Sequence, residues 1–191
     1  GFTRFSNLFL SKIFLFIFIF ATSLTALAQP KFTDSKLASE YFRNKEYDKA
    51  AVYYERLYDK DHSKFYFNRL ITCIEVTGET KEVEKLLKRQ ISYFKMDQEY
   101  EIQLAKFYET NEESGKADKI YEDLITKMQA QSRDVIGLYN AFKAQGKNEM
   151  AFRTLEKGRK LLKNSYPLNF QFAEYYGSLG DTEKMMGEYL D

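Results

Sequence analysis

The feature that most constrains this chain is a recurrence. Small or apolar residues stand at Ala50, Val83, Ala117, Ala151 and Met185, spaced 33, 34, 34 and 34 residues apart. A second series runs twelve residues earlier through Ala38, Ile71, Ala105, Tyr139 and Ala173, each followed three residues on by Tyr41, Ile74, Tyr108, Phe142 or Tyr176. A third lies four residues after the first, at Tyr54, Leu87, Tyr121, Leu155 and Tyr189. Several series in phase at one period mark a chain built from one repeated supersecondary element, whose copies cover one another's apolar faces.

Within each repeat the apolar residues step by three and four, as in Leu104, Ala105, Phe107, Tyr108, which is the period of a helix. Gly78, Gly146 and Gly180 are also in phase and stand where a first helix ends in a left-handed residue. Asp97, Ser132 and Asp181 are placed to cap the N-termini of the helices that follow them. The alanines at 38, 50, 105, 117, 151 and 173 let helix axes approach closely, and the aromatics fill the gaps between them. Two prolines, no tryptophan and 17% aromatic residues fit an all-helical array better than a turn-rich sandwich.

These residues resemble the tetratricopeptide repeat, whose 34-residue unit pairs two antiparallel helices. Its small, aromatic, small, aromatic signature matches Ala38, Tyr41, Ala50 and Tyr54 in the first repeat and Ala105, Tyr108, Ala117 and Tyr121 in the third. The second repeat departs from it with Ile71 and Val83, and the fourth with Tyr139 at a small-residue position; the usual tryptophan and proline are missing. The resemblance implies an all-α fold, a right-handed α-solenoid of about five antiparallel helix hairpins. The repeats are expected at about 31–63, 64–97, 98–131, 132–165 and 166–191, the last incomplete, so that the natural protein is expected to continue beyond Asp191.

Residues 1–28 are expected to be a cleaved secretory signal. Arg4 and Lys12 precede the apolar run Ile13 to Ala21, and Ala26 and Ala28 take the small positions of a cleavage site between Ala28 and Gln29. The run is shorter than the roughly 20 residues a spanning helix needs. Export to a periplasmic or extracellular compartment follows as an expectation, with no stable membrane span after cleavage. Without this segment the chain carries 27 Lys plus Arg against 28 Asp plus Glu, which leaves no net field to recruit nucleic acid.

No catalytic constellation is visible, and no cofactor or metal is expected. His62, the single histidine, is expected in a solvated linker, since a metal site needs several converging ligands. Cys73, the single cysteine, is expected to be a buried small hydrophobe. The aromatic run Lys64-Phe65-Tyr66-Phe67 is read as core packing, not as a nucleic-acid stacking platform.

Surface recognition remains. The resemblance implies that first helices line a concave groove presenting Ser35, Ser39, Phe42 and Arg43, then Asn68, Thr72 and Glu75, then Ile102, Lys106 and Glu109, then Arg133, Ile136, Asn140 and Lys143. Ser35 and Ser39 replace the lysine and asparagine of the family's carboxylate clamp, while Asn140 keeps the asparagine position alone. The expected function is a non-enzymatic scaffold in a cell envelope that binds a protein or peptide. The alternative is a sensory or docking region of a longer signalling kinase or other enzyme. Self-association through the uncapped last repeat is a third expectation.

Overall fold

The computed structural model describes the backbone of residues 29–190 and the side chains of residues 34–190; the expected signal segment and its cleavage position lie outside the described residues. The described chain is all-α, with ten α-helices, one short 3₁₀ turn and no strand among the described residues. In order the helices are α1 (Gln29–Arg43), α2 (Tyr47–Asp61), α3 (Lys64–Thr77), α4 (Thr80–Tyr93), α5 (Gln98–Thr110), α6 (Ser114–Lys127), α7 (Ser132–Ala144), α8 (Asn148–Leu161), α9 (Asn169–Ser178) and α10 (Thr182–Leu190), with the 3₁₀ turn Tyr166–Leu168 before α9. Two compact bodies divide between Val83 and Glu84, within α4.

The turns explain the periodicity. A left-handed residue closes the first helix of every repeat, at Lys45, Gly78, Glu112, Gly146 and Gly180, spaced 33, 34, 34 and 34 apart. At each one the same two backbone bonds form. The left-handed residue donates to the carbonyl three residues back, as Gly146 to Lys143 at 2.9 Å, and its successor donates to the carbonyl five back, as Lys147 to Phe142 at 2.9 Å. This is the Schellman closure, which satisfies carbonyls left over at a helix end. The acceptors of the longer bond are Tyr41, Ile74, Tyr108, Phe142 and Tyr176, so one sequence series marks both the packing residue and the turn.

Three of these positions are glycine, as the sequence reading expects, and two are not. A side chain in the left-handed region costs about 1 kcal/mol relative to glycine. Lys45→Gly and Glu112→Gly are therefore each expected to raise stability by about 1 kcal/mol, seen as a higher urea midpoint at unchanged slope; a lowered midpoint would contradict the strain assigned to these turns.

The first body holds α1, α2 and α3, with α2 packed on both neighbours. Ala38 and Ala50 are fully buried at the α1–α2 contact positions, beside Tyr54, Leu57 and Tyr58. Asp34 of α1 pairs with Lys60 at 3.6 Å and Arg56 at 4.0 Å on α2. In α3 the buried residues are Phe67, Leu70 and Cys73, whereas Ile71 is only half-buried. Phe65 is 56% exposed, so of the expected packing run Phe67 alone is fully core. His62 also departs from expectation: it is the half-buried left-handed cap of α2, φ 45°, with its ring 5.4 Å from Tyr58 in an edge-on contact. It closes a helix instead of lying in a solvated linker.

Cys73 is buried as expected, and burial pushes its thiol up to about 11, with Arg69 opposing. The folded chain is expected to resist alkylation by iodoacetamide at pH 8 and to react on unfolding. Because the folded value lies above the ordinary 9.0, the stabilisation from this thiol is complete below pH 9 and is lost as pH rises toward 11.

In the second body α5 packs on α6, α7 on α8 and α9 on α10, while α5 also meets α7 and α6 meets α8. First helix lies on first helix and second on second. Ala105, Ala117, Ala151 and Ala173 are all buried where the sequence series places them. Asp97 caps α5 through Oδ1, which accepts from Glu99 N at 3.1 Å, and Asp181 caps α10 by accepting from Lys184 N at 3.1 Å. Ser132 does not cap α7. It is the first helical residue, and Gln131 holds the cap position without a side-chain bond.

Candidate functional site

The residues expected to line a first-helix groove divide between the two bodies. In the first body Phe42 is half-buried in a ring cluster, edge-on to Tyr47 at 5.5 Å and Tyr54 at 5.9 Å, and the Arg69 guanidinium lies 4.5 Å above its ring. The stack directs Phe42 into the hairpin core. Arg43, Ser39, Asn68 and Glu75 are exposed and Ser35 and Thr72 half-buried. Thr72 donates its hydroxyl to the Asn68 carbonyl at 2.8 Å, and although Glu75 is exposed, desolvation by the side chains around its carboxyl raises it above its ordinary range.

In the second body Ile102 is 0% exposed and cannot touch a partner, which corrects its expected place on the surface. The remaining charges mostly meet one another across successive repeats. Lys106 donates to Gln145 Oε1 at 3.3 Å, and Gln145 Nε2 donates to Glu99 Oε1 at 3.4 Å. Glu109 pairs with Lys147, and Lys143 pairs with Glu174. Tyr139 donates its hydroxyl to Glu174 Oε2 at 3.0 Å, which explains a tyrosine at a small-residue position: its ring is buried while its oxygen reaches the next first helix. The Lys143 hydrogen bond holds the Glu174 carboxyl below the ordinary range, with burial opposing and Tyr139 helping. This ladder is a strap between repeats. Of its residues, Gln145 and Lys147 escape a reading of first helices alone, because they sit in the turn after α7.

Arg133, Ile136 and Asn140 are not part of that strap, and Arg133 opens onto a different feature. A groove of about 700 Å³ lies between the start of α5, the last turns of α6 and the start of α7. Its walls are Lys95, Met96, Gln98 and Glu101 on one side, Ile120, Asp123, Leu124, Lys127 and Met128 along α6 and its end, and Gln129, Gln131, Arg133, Asp134 and Gly137 on the other. Two local choices create it. The α6 helix ends at Met128 in an extended conformation with φ −59° and ψ 134°, so the link to α7 swings away. Gly137 then leaves the α7 wall bare, since a Cβ there would meet nothing within 4 Å. An isolated glycine inside a helical pattern is the signal by which the sequence could have disclosed this space.

The groove carries both polar and apolar surface. Met96 is 95% exposed at the rim, and Leu124 and Met128 are buried against the wall. Lys127 pairs with Asp123 at 3.0 Å, and Arg133 approaches Asp134 at 4.0 Å with 88% of its side chain exposed. Burial pushes the Glu101 carboxyl above its ordinary range; Lys127 opposes the shift and Asp123 reinforces it. Among the described residues no group of three or more His, Cys, Asp or Glu is arranged to hold a metal, and no helix is long and apolar enough to cross a membrane.

These antiparallel hairpins, closed by the same turn every 33 or 34 residues, define an all-α helical-repeat protein. No protein-family model matches the chain, and no curated protein matches it. Among solved structures it is similar to a tetratricopeptide repeat protein from Parabacteroides merdae ATCC 43184, at 14% identity and TM-score 0.43, covering 88% of this chain and 67% of that one. It is also similar to MamA 41-end from Desulfovibrio magneticus RS-1, at 8% identity and TM-score 0.43, covering 85% and 93%. A further MamA crystal structure aligns at 12% identity and TM-score 0.41, covering 83% and 87%. The fold assignment rests on the hairpins themselves.

Proposed function

We propose that this chain is a non-enzymatic scaffold that binds a protein or peptide partner on its repeat surface, after export to a cell envelope. The observation that carries the reading is the groove at α5, α6 and α7, an open recess of about 700 Å³ in the second body. Rigid helices hold its walls at fixed separation, the arrangement by which repeat proteins present an extended recognition surface. The strap joins successive repeats, while Arg133 and Met96 at the groove remain accessible. A near-neutral chain favours a protein partner over nucleic acid. The support for export is the expected signal segment, with Arg4 and Lys12 ahead of the apolar run Ile13 to Ala21.

Affinity capture on the immobilised full chain tests this. A partner retained by the natural chain and lost with Gly137→Leu or Arg133→Glu supports the groove as the docking surface. Equal retention by both variants would move binding to another face, and absence of any specific partner would count against the scaffold itself.

A further inference from the structure

We propose that the link between α8 and α9 is a membrane-docking edge, at which Lys160 and Lys163 meet the headgroups of an anionic lipid bilayer while Leu161, Tyr166 and Phe170 enter its interfacial layer. This edge shares no residue with the groove walls and adds a second surface to the scaffold reading.

The charge here is local. Although the whole chain is near neutral, the stretch from Lys157 to Ala173 carries Lys157, Arg159, Lys160 and Lys163 and no acid. Arg159 is engaged, its guanidinium 3.5 Å from the Phe172 ring centroid and donating to both carboxylate oxygens of Glu188. The three lysines make no ion pair among the described residues. Lys157 and Lys160 line an open recess with two acids, Glu122 and Glu156, and Arg153 holds Glu122 at 2.6 Å. Three ammonium groups therefore stand against the one carboxylate of Glu156.

Helix geometry displays the apolar part. Leu168 and Phe172 turn inward and are 0% and 2% exposed, whereas Tyr166 and Phe170, each two residues earlier and so on the opposite face, are 68% and 61% exposed. Leu161 ends α8 exposed, and Leu162 follows in an extended conformation, so the link leaves the helix axis. Its backbone suits a place with little water: Leu162 N donates to the Gly158 carbonyl at 2.9 Å, Tyr166 N to Asn164 Oδ1 at 3.0 Å and Leu168 N to the Ser165 carbonyl at 2.8 Å, while Pro167 has no N–H to satisfy. Lysine stems can lie along apolar surface with their ammonium groups at lipid phosphates, and aromatic rings fill the layer beneath. The electrostatic and apolar contributions add. An acidic polypeptide offers the charge without that apolar layer, so the bilayer is the better match.

The chain has no tryptophan, so Tyr166→Trp places a single reporter on the link. Its emission is expected to shift to the blue when the full chain meets vesicles of equal parts phosphatidylglycerol and phosphatidylcholine, and to stay unchanged with phosphatidylcholine alone. Val52→Trp, at an exposed position of α2, is expected to show no shift on either, which separates docking of this edge from any other attachment of the chain. Lys160→Glu with Lys163→Glu, in the Tyr166→Trp chain, is expected to raise the lipid concentration at half-shift about tenfold or more. Circular dichroism of each variant checks folding, and Phe170→Trp replaces Tyr166→Trp if the latter does not fold. No shift on the anionic vesicles, an equal shift on phosphatidylcholine alone, or a shift that the lysine reversals leave unchanged would overturn the inference. A shift produced by polyglutamate and not by vesicles would also overturn it and assign the edge to an acidic polypeptide.

Discussion

Gly158→Leu is expected to destabilise the chain by about 3 kcal/mol or more, the largest loss available from a single added side chain in these hairpins. Gly158 is buried on α8 where α7 and the 3₁₀ turn close on it. A Cβ at this position would lie 2.4 Å from Val135 Cγ1, 2.9 Å from Val135 Cγ2 and 3.2 Å from Leu168 Cδ1. Neither neighbour can give way cheaply, since Val135 and Leu168 are both 0% exposed and valine has one torsion to turn. Gly158→Ala is expected to lose about 1–2 kcal/mol, because overpacking exceeds the roughly 1 kcal/mol that alanine gains over glycine in a helix. Gly137→Ala is the internal control: it is equally mid-helical but meets open space, so it gains the propensity without the clash. Urea unfolding separates the cases by midpoint at constant slope. If both alanine variants shift the midpoint in the same direction, the close approach is not what Gly158 provides.

Gly158 also shows where sequence reasoning stops. Its three in-phase glycines were legible because a turn repeats in one dimension, and a glycine at the end of each periodic segment has a local cause. Gly158 has none; its reason is Val135, 23 residues away, and such a contact is set by how two helices cross. The alanine series was legible for the opposite reason, since close contact at the same helical positions recurs in all repeats but the second. Lys45 and Glu112 hold the turn without the residue that announces it, so a composition signal missed two closures that backbone geometry makes plain. The candidate surface was least legible. Assigning outward positions by alignment alone placed Ile102 on the surface, but α5 is covered along that side and the residue is sealed. Charges at Lys106, Glu109 and Lys143 were found, but not that they meet partners in the next turn or helix. The groove arises from a link that turns away and a missing side chain, neither of which has a periodic signature.

Phe142→Ala is expected to cost about 3–5 kcal/mol, for reasons that join the turn to the core. Phe142 is 0% exposed, and its ring meets Tyr121 of α6 edge-on, with centroids 5.7 Å apart. Truncation removes that contact and leaves a void bounded by residues that helix geometry holds in place, so the transfer loss and the cavity term add. The backbone bond from Lys147 N to the Phe142 carbonyl survives the substitution, and with it the turn at Gly146. The loss should therefore appear as lowered stability with helical circular dichroism retained at low temperature. Ile74 occupies the corresponding position of the second repeat and is only half-buried, so Ile74→Ala should cost markedly less, near the lower end of the range for such truncations of about 2 kcal/mol. The ordering follows from burial at equal rank in the repeat. Equal losses at 74 and 142 would mean that stability is set by the repeated turn and not by how completely each repeat covers its neighbour.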